Sequence, residues 1–508
     1  MTLSRTRAHQ KSSGMLEKFL SHDPLHSNRE LDVLTVIAVG YIVLPNLIFL
    51  FGWLKLPIAT ILGIGTLVSI QQLFRRSIIC WRPNTKAILI FAIATTWCLF
   101  GGAGHFGYAN VDWQIRDAVY GDLIHSHWPP AYTLEDSSSL VLRSAFGYFL
   151  LPSLVSSYLD IATADICLFI WTVIGTAIFL SLLPIDFSRP GRALLLSMIV
   201  IMFSGMDILG ILLTTGEWPL FPLRLEWWTA FSYSSLSGQL FWAPNHCLPI
   251  WIGTALFYRH WANQSFLRLA VVFGPLTLIW TPFAIIALMP FFLLYLASRL
   301  THGKPELPSL IQFFWALILC AIVTAFLTFD IAGIPSKTGA AHASTSIGGG
   351  FRDAYLPFVL MEVGTLAMLL STRVKNSHGI FITAVFVLLA LPFVFFGPSN
   401  DLMLRGSTPA LVLLAIFTLI TINNAFDNQS ITAFPWLIVI VLVIGACTPF
   451  NEIWRAITWK HWAPDYQRAL TESDKAHTPV HYMGNPQAMV FQWVLKVPHP
   501  VPTKNQRQ

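Results

Sequence analysis

Stretches of about 20 consecutive apolar residues recur along most of the chain, and this repetition limits the possible folds more than any other feature. A helix of that length crosses a hydrocarbon core roughly 30 Å thick and satisfies its own backbone hydrogen bonds without water. With 508 residues, 55% of them hydrophobic and 11% charged, the chain is too apolar for an ordinary soluble protein. The sequence therefore predicts an all-α, polytopic transmembrane bundle of about 11–13 helices.

The hydrophobic runs set the approximate bounds of these helices. The predicted spans are 32–53, 56–74, 86–104, 164–184, 191–214, 243–258, 266–280, 282–299, 309–330, 355–371, 379–396, 407–425 and 432–449. A break at Trp280-Thr-Pro282 separates two of them, and the first of the two is short. Helix 32–53 is interpreted as an uncleaved anchor.

Lysine and arginine gather in alternate loops, and this bias predicts the orientation of the bundle, because basic loops stay on the cytoplasmic side. The N-terminal segment 1–30 contains five such residues and is predicted to be cytoplasmic. The bundle occupies 31–450, and a tail, 451–508, follows it on the outer side. The predicted outer loops are 105–163, 215–242, 331–354 and 397–406.

The charge distribution and the cysteine spacing indicate neither a nucleic-acid partner nor a cysteine-based metal site. The net charge is +6, but most basic residues sit in short loops beside apolar runs, so no nucleic-acid partner is indicated. The six cysteines show no CxxC pair or metal-ligand spacing and are interpreted as small buried hydrophobes.

The first outer loop contains the clearest group of ionisable residues. Asp112 and Arg116 are four residues apart and share one face of a helix, whereas Asp117 points elsewhere. Asp112 or Asp117 fits a general base or a metal ligand, while a surface ion pair worth under about 1 kcal/mol explains the same residues equally well. Trp113 fits an aromatic wall for a sugar ring, or an interfacial anchor.

The second outer loop and its borders add candidate substrate-binding residues at an apolar boundary. They are Glu226, Trp227, Asn245 and His246, and Arg224 lies in the same loop. A lone histidine there is more often a hydrogen-bonded structural residue. Upstream, Asp207 falls inside a predicted helix, where an acid is a functional candidate by default, although one hydrogen bond to a neighbouring helix also explains it.

The outer turn 397–406 contains two further candidate substrate-binding residues, Asn400 and Asp401, together with Arg405. Asn400 or Asp401 is predicted to cap the following helix. Arg405 lies at the membrane boundary, where a guanidinium can fork onto a phosphate. The competing interpretations are snorkelling and an i,i+4 pair with Asp401.

Several of these segments resemble the GT-C superfamily of integral-membrane glycosyltransferases, and more closely a family of bacterial polytopic membrane proteins without an assigned activity. The segments that carry the likeness are Asn110-Val-Asp-Trp113 through Trp128-Pro129, Phe203-Ser-Gly-Met-Asp-Ile-Leu-Gly210, Glu226-Trp-Trp228, Phe241-Trp-Ala-Pro-Asn-His246 and Asn400-Asp-Leu-Met-Leu-Arg405. The likeness covers the chain from about residue 85 to 450. It implies a catalytic acid at Asp112 or Asp117, close to the acceptor.

The resemblance and the predicted orientation together imply a bacterial inner-membrane enzyme of cell-envelope polysaccharide synthesis. Nucleotide sugars do not reach an outward-facing site, so the expected donor is a polyprenyl-phosphate-linked sugar and the acceptor a lipid, glycan or protein. Arg405, Arg116 and Arg224 are expected at the donor phosphate. A divalent cation such as Mg²⁺ or Mn²⁺ is left open. The alternatives are a transporter or flippase of a lipid-linked glycan, and a non-enzymatic scaffold of polysaccharide assembly.

Overall fold

The computed structural model describes residues 31–75, 86–133, 139–219, 221, 224–302, 305–328, 336–338, 350–374, 377–397, 399–427, 433–473 and 482–502. The predicted segment 1–30 and most of the predicted loop 331–354 lie outside these residues. The helices in chain order are α1 (Val33–Trp53), α2 (Leu56–Phe74), α3 (Lys86–Cys98), α4 (Asp112–His125), α5 (Gly147–Leu159), α6 (Ala164–Leu182), α7 (Pro190–Ile201), α8 (Asp207–Thr215), α9 (Leu236–Trp242), α10 (Pro244–His260), α11 (Phe266–Thr277), α12 (Phe283–His302), α13 (Leu310–Thr328), α14 (Phe351–Val359), a π-helical turn (Leu360–Gly364), α15 (Thr365–Ser371), α16 (His378–Ala390), α17 (Asp401–Gly406), α18 (Thr408–Asp427), α19 (Ala433–Gly445), α20 (Cys447–Thr458), α21 (Leu470–Ser473) and α22 (Met489–Val494).

The fold is an all-α polytopic membrane bundle, as the sequence predicts. Within the described residues, eight helical segments are long and apolar enough to cross a membrane, and four shorter apolar helices accompany them. Local signals fix their ends: the side chain of Asp32 accepts a hydrogen bond from the Thr35 amide at 3.0 Å and so caps α1. Pro57 lies in the first turn of α2, where its missing N–H costs nothing. The chain is thus a multi-pass protein of a lipid bilayer.

Two predicted helices are shorter than expected because of tertiary packing. The predicted helix 191–214 is interrupted between α7 and α8, where the backbone crosses close to α19; a Cβ on Gly445 would lie 2.6 Å from the carbonyl oxygen of Ser204. The predicted helix 86–104 ends at Cys98. Beyond it, the indole of Trp113 occupies the space where a Cβ on Gly102 would stand, 1.9 Å away. Only a glycine permits that approach.

The first outer loop folds into helices and short strands rather than remaining irregular. Between α4 and α5 lie strands β1 (Pro130–Thr133) and β2 (Ser139–Leu142), which pair antiparallel. The tail adds β5 (Met483–Gly484) beside β2 and β6 (His499–Pro500) beside β1, giving the order β5-β2-β1-β6. A second, two-stranded sheet pairs β3 (Ser336–Thr338) with β4 (Val394–Phe396).

The tail folds back onto the bundle. The helix α20 ends at Thr458, and the chain then runs irregularly to α21, where Leu470 is fully buried. Further along, the amide of Lys496 donates to the carbonyl of Trp53 at 2.8 Å. The tail therefore lies at the end of the bundle where α1 finishes.

The opposite end of the bundle contains ion pairs. In each of them an acidic residue contacts an arginine of a loop that is predicted to be cytoplasmic. These pairs are Arg259 with Asp32, Arg268 with Glu306 and Arg192 with Asp427. The two ends of the bundle thus differ. Ion pairs between separate chain segments close one end, and the first loop, the second loop and the tail cover the other.

Candidate functional site

A polar cavity opens at the loop-covered end of the bundle, with an empty volume of about 900 Å³ that includes open solvent. Segments far apart in sequence meet there: the start of α4, the loop before α9, the α9–α10 junction, α17 and α20. The lining residues that bear on chemistry are Asp112, Arg224, Glu226, Trp227, Trp242, His246, Asp401, Arg405 and Glu452. Seven of these nine were candidates from the sequence.

Asp112 is the most accessible of the predicted acids. It is the first residue of α4, and its amide donates to the side-chain oxygen of Asn110 at 3.0 Å, which fixes the turn that enters the helix. Its side chain is 49% exposed and lies 3.5 Å from Arg116. A half-exposed carboxylate held by one guanidinium can accept a proton from a ligand in the cavity.

Trp242, at the end of α9, connects several charged groups. Its carbonyl accepts a hydrogen bond from Arg116, and its indole N–H donates to Oε2 of Glu452 at 2.8 Å. Its ring centroid lies 4.3 Å from the guanidinium of Arg224 and 5.4 Å from that of Arg455. Trp242 therefore contacts three arginines, two through its ring and one through its carbonyl, and of these Arg224 lines the cavity.

The arginines differ in how fully they are already paired. Arg405 lies 2.8 Å from Asp401, and Arg455 lies 2.8 Å from Glu452. Arg116 is held by Asp112 and the Trp242 carbonyl. Arg224 stacks on Trp227 and Trp242 and makes no hydrogen bond or ion pair within the part of the chain that the structure describes. Its N–H donors are thus the most available for a ligand.

Glu226 supplies a titratable group with a shifted pKa. Its Oε1 accepts hydrogen bonds from the amide and the hydroxyl of Ser235, at 2.9 and 2.8 Å. Burial, together with the negative charges of Glu452 and Asp207, raises the pKa of Glu226 to about 8. At neutral pH its carboxyl therefore largely retains its proton.

The charge balance of the cavity follows from these pairings. Arg224 and Arg405 line the cavity, and Arg116 and Arg455, which do not line it, pair with the lining residues Asp112 and Glu452. The carboxylates that oppose them at neutral pH are those of Asp112, Asp401 and Glu452, since Glu226 is protonated. Over these four arginines and three carboxylates one positive charge is left over, and it favours an anionic ligand beside Arg224, which pairs with no other described residue.

Aromatic and imidazole groups complete the lining. Trp227 lines the cavity and is 54% exposed, although the Arg224 guanidinium lies 4.9 Å from its ring. His246, at the start of α10, forms a hydrogen bond of 2.7 Å between its Nδ1 and the Thr281 hydroxyl. That bond crosses to the break before α12, so His246 also joins two helices.

Other sequence candidates lie away from the cavity. Asp117 is buried against His105, with 3.0 Å between its Oδ2 and Nε2 of the histidine. Burial alone would lower the pKa of His105, but the hydrogen bond and charge of Asp117 outweigh it and raise that pKa. Trp113 is fully buried and donates to the Phe241 carbonyl at 3.0 Å, so its ring presents no face to a sugar. These residues support the loop.

Three further candidates are also set back from the lining. Asn245 is buried beside His246, and Asp207 is buried at the start of α8. Asn400 adopts a left-handed backbone, with φ of 55°, and its side chain accepts a hydrogen bond from the Phe396 amide at 3.3 Å. It therefore shapes the turn before α17 instead of capping that helix with its side chain.

Trp242, Glu452 and Arg455 were not chosen as candidates from the sequence. Glu452 and Arg455 are three residues apart in α20, a spacing that indicates a shared helix face. They were not chosen because they follow the last predicted span, in a tail where no site was expected. Trp242 lies within one of the segments that carry the family resemblance.

The side chains of the described residues can be checked for a group that could bind a metal ion. Among the described residues, no group of three or more His, Cys, Asp or Glu side chains gathers closely enough to hold a metal ion. The cavity instead offers guanidinium donors, a carboxylate and aromatic faces, which suit a phosphate and a sugar.

Comparison of the chain with protein-family models, with curated proteins and with solved structures found no match.

Proposed function

We propose that this protein is a membrane glycosyltransferase that moves a sugar from a polyprenyl-phosphate-linked donor to a hydroxyl of a lipid, glycan or protein acceptor. The observation that carries the proposal is the meeting, in one cavity of an apolar bundle, of three groups: the Arg224 guanidinium, which pairs with no other described residue, the half-exposed Asp112 carboxylate and the half-exposed ring of Trp227. Each group suits one part of such a reaction.

Arg224 is assigned to the donor phosphate. A guanidinium presents its donors in a fork that matches two phosphate oxygens, and stacking on Trp227 and Trp242 leaves that edge free. A polyprenyl donor keeps its chain in the bilayer and its phosphate at the headgroup level, so it reaches a site at the end of the bundle from the membrane side. Arg405 adds positive charge on the other wall.

Asp112 is assigned as the general base. It takes the proton of the acceptor hydroxyl as the acceptor oxygen forms a bond to the anomeric carbon of the sugar. The bond between that carbon and the phosphate oxygen breaks, and the electron pair leaves with polyprenyl phosphate. Arg224 stabilises the negative charge of this leaving group. The exposed part of the Trp227 ring provides a surface on which the sugar stacks.

Placement of the reaction on the extracytoplasmic face of a bacterial inner membrane rests on the Lys/Arg distribution and on the GT-C resemblance. The N-terminus is then cytoplasmic, since α1 begins at the end of the bundle opposite the cavity. The groups assigned to the reaction all line one cavity at one end of the bundle, which favours an enzyme, whereas a transporter needs such groups along a path through the bilayer.

The test uses the full-length protein in lipid nanodiscs with a panel of polyprenyl-phosphate-linked hexoses and measures release of polyprenyl phosphate. Asp112→Asn is expected to lower turnover about 100-fold or more while leaving binding of polyprenyl phosphate intact, because general-base catalysis contributes about 10²–10⁴ in rate. Asp186→Asn, at an exposed acid outside the cavity, is the matched control.

Two outcomes would contradict the proposal. Full turnover in Asp112→Asn would remove the base. Movement of the labelled lipid-linked sugar between the leaflets of vesicles that contain the protein, with no release of polyprenyl phosphate, would instead identify a flippase.

A further inference from the structure

A second polar cluster lies inside the bundle, outside the cavity, at the interruption between α7 and α8. Asp207 is 1% exposed, and Glu362, in the π-helical turn, is 6% exposed. Oδ2 of Asp207 accepts hydrogen bonds from the hydroxyls of Thr448, at 2.6 Å, and Ser204, at 3.3 Å. Oε1 of Glu362 accepts one from the Trp228 indole at 3.1 Å. Each carboxyl group therefore has one satisfied oxygen.

The other oxygen of each carboxyl group lacks a hydrogen-bond donor. Oδ1 of Asp207 and Oε2 of Glu362 are buried and receive no donor from the other described residues. The two carboxyl groups lie within hydrogen-bonding reach of each other. Two ionised carboxylates have only acceptors to offer and repel one another, and a buried oxygen without a donor is costly. A single proton between them supplies the missing donor and halves the buried charge.

The backbone around the pair allows this close approach. A Cβ on Gly205 would lie 2.1 Å from Oε2 of Glu362, so a residue with a side chain cannot stand there without displacing the carboxyl. The π-helical turn gives Glu362 its position in the middle of a predicted span. Such turns interrupt helices mostly at sites with a function.

We propose that Asp207 and Glu362 form a binding site for one proton, and that this proton holds the interrupted helix, the π-helical turn and α20 together. Thr448 links the pair to α20, which carries Glu452 one turn further on into the cavity. The proposal is independent of glycosyl transfer.

Other charged groups around the pair favour retention of the proton. Glu226, in the second loop, acts on Glu362 and gains its negative charge only as the pH rises through about 8, while Glu452 acts in turn on Glu226. All of these neighbours are acids. A negative neighbour disfavours ionisation of a nearby carboxyl, so the pair does not readily lose its last proton.

The first test is labelling of the full-length protein in nanodiscs with dicyclohexylcarbodiimide, an apolar reagent that modifies protonated carboxyl groups, followed by peptide mass spectrometry. An adduct on Asp207 or Glu362 is expected at pH 7 and not on the exposed Asp186, which serves as the internal control. Absence of both adducts would overturn the proposal. Protection by Na⁺ at constant pH would also overturn it, since a metal ion would then occupy the site.

The second test compares thermal unfolding of the wild-type protein and Glu362→Gln from pH 6 to 10. The amide of the glutamine replaces the shared proton as donor to Asp207, so the variant should match the wild type at pH 6. As the pH rises the wild type loses the shared proton and its midpoint should fall relative to the variant. Parallel pH profiles would refute a titrating proton. Glu362→Met, which offers no donor, should unfold at a lower temperature than Glu362→Gln at every pH.

Discussion

Arg224 offers the sharpest test of how the cavity recognises a ligand. Its guanidinium is stacked 4.9 Å from the ring of Trp227 and 4.3 Å from that of Trp242, and its donors are unpaired within the described chain. A phosphate bound in the fork receives two charge-assisted hydrogen bonds, each worth about 1.5–3 kcal/mol. Because Arg224 is exposed, the lower figure applies to each, and the pair contributes about 3 kcal/mol. Arg224→Ala should therefore weaken phosphate binding about 100-fold.

The assay is equilibrium binding of a long-chain polyprenyl phosphate to the protein in nanodiscs, with the phosphate-free polyprenol as ligand control. Arg224→Lys should lose about tenfold, because a lysine provides a point charge without the fork. Arg189→Ala, whose guanidinium pairs with Asp427 at the other end of the bundle, is the matched protein control. The reasoning is refuted if folded Arg224→Ala binds polyprenyl phosphate as tightly as the wild type, or if polyprenol binding falls equally.

Three further predictions concern charge, stability and topology. Phosphate binding should weaken as pH rises through about 8, because Glu226 then ionises and cancels the surplus positive charge; binding to Glu226→Gln, measured by the same assay, should stay level across that range. Asp117→Ala should destabilise the protein by about 3 kcal/mol, because it leaves the buried His105 without its partner, and a thermal midpoint equal to that of Glu217→Ala, an exposed acid, would contradict this. A reporter fused near Ser138 should read as extracytoplasmic, and a cytoplasmic signal would reverse the predicted orientation.

Short-range pairs were the part of the site that the sequence could predict. The four-residue spacing of Asp112 and Arg116 places them on one helix face, and the structure has them 3.5 Å apart. The same spacing joins Asp401 to Arg405 at 2.8 Å, the alternative that competed with phosphate binding for Arg405. Such pairs need only a local helix, so a single chain segment contains all the information.

Helix periodicity could not predict contacts between residues that are far apart in the sequence. The sequence left Asp112 and Asp117 equivalent as candidate bases, and they differ because His105, from the turn after α3, buries the second one. The sequence predicted Trp113 as an aromatic wall for a sugar or as an interfacial anchor, but its ring is buried in the core because Gly102 leaves room for it. In each case the deciding atom belongs to another segment, whose position depends on how the helices pack.

The amino-acid sequence by itself determined that this chain is an all-α, multi-pass membrane bundle, because apolar stretches of membrane length leave a helix as the only way to satisfy the backbone. It also determined which polar residues border the apolar runs. Only the tertiary structure decided which of these face a common cavity, that Arg224 pairs with none of the residues the structure describes, and that Glu452 joins the cavity from the tail-proximal helix. The physical reason is that exposure and pairing depend on distances between helices, and hydrophobic periodicity fixes each helix without fixing its neighbours.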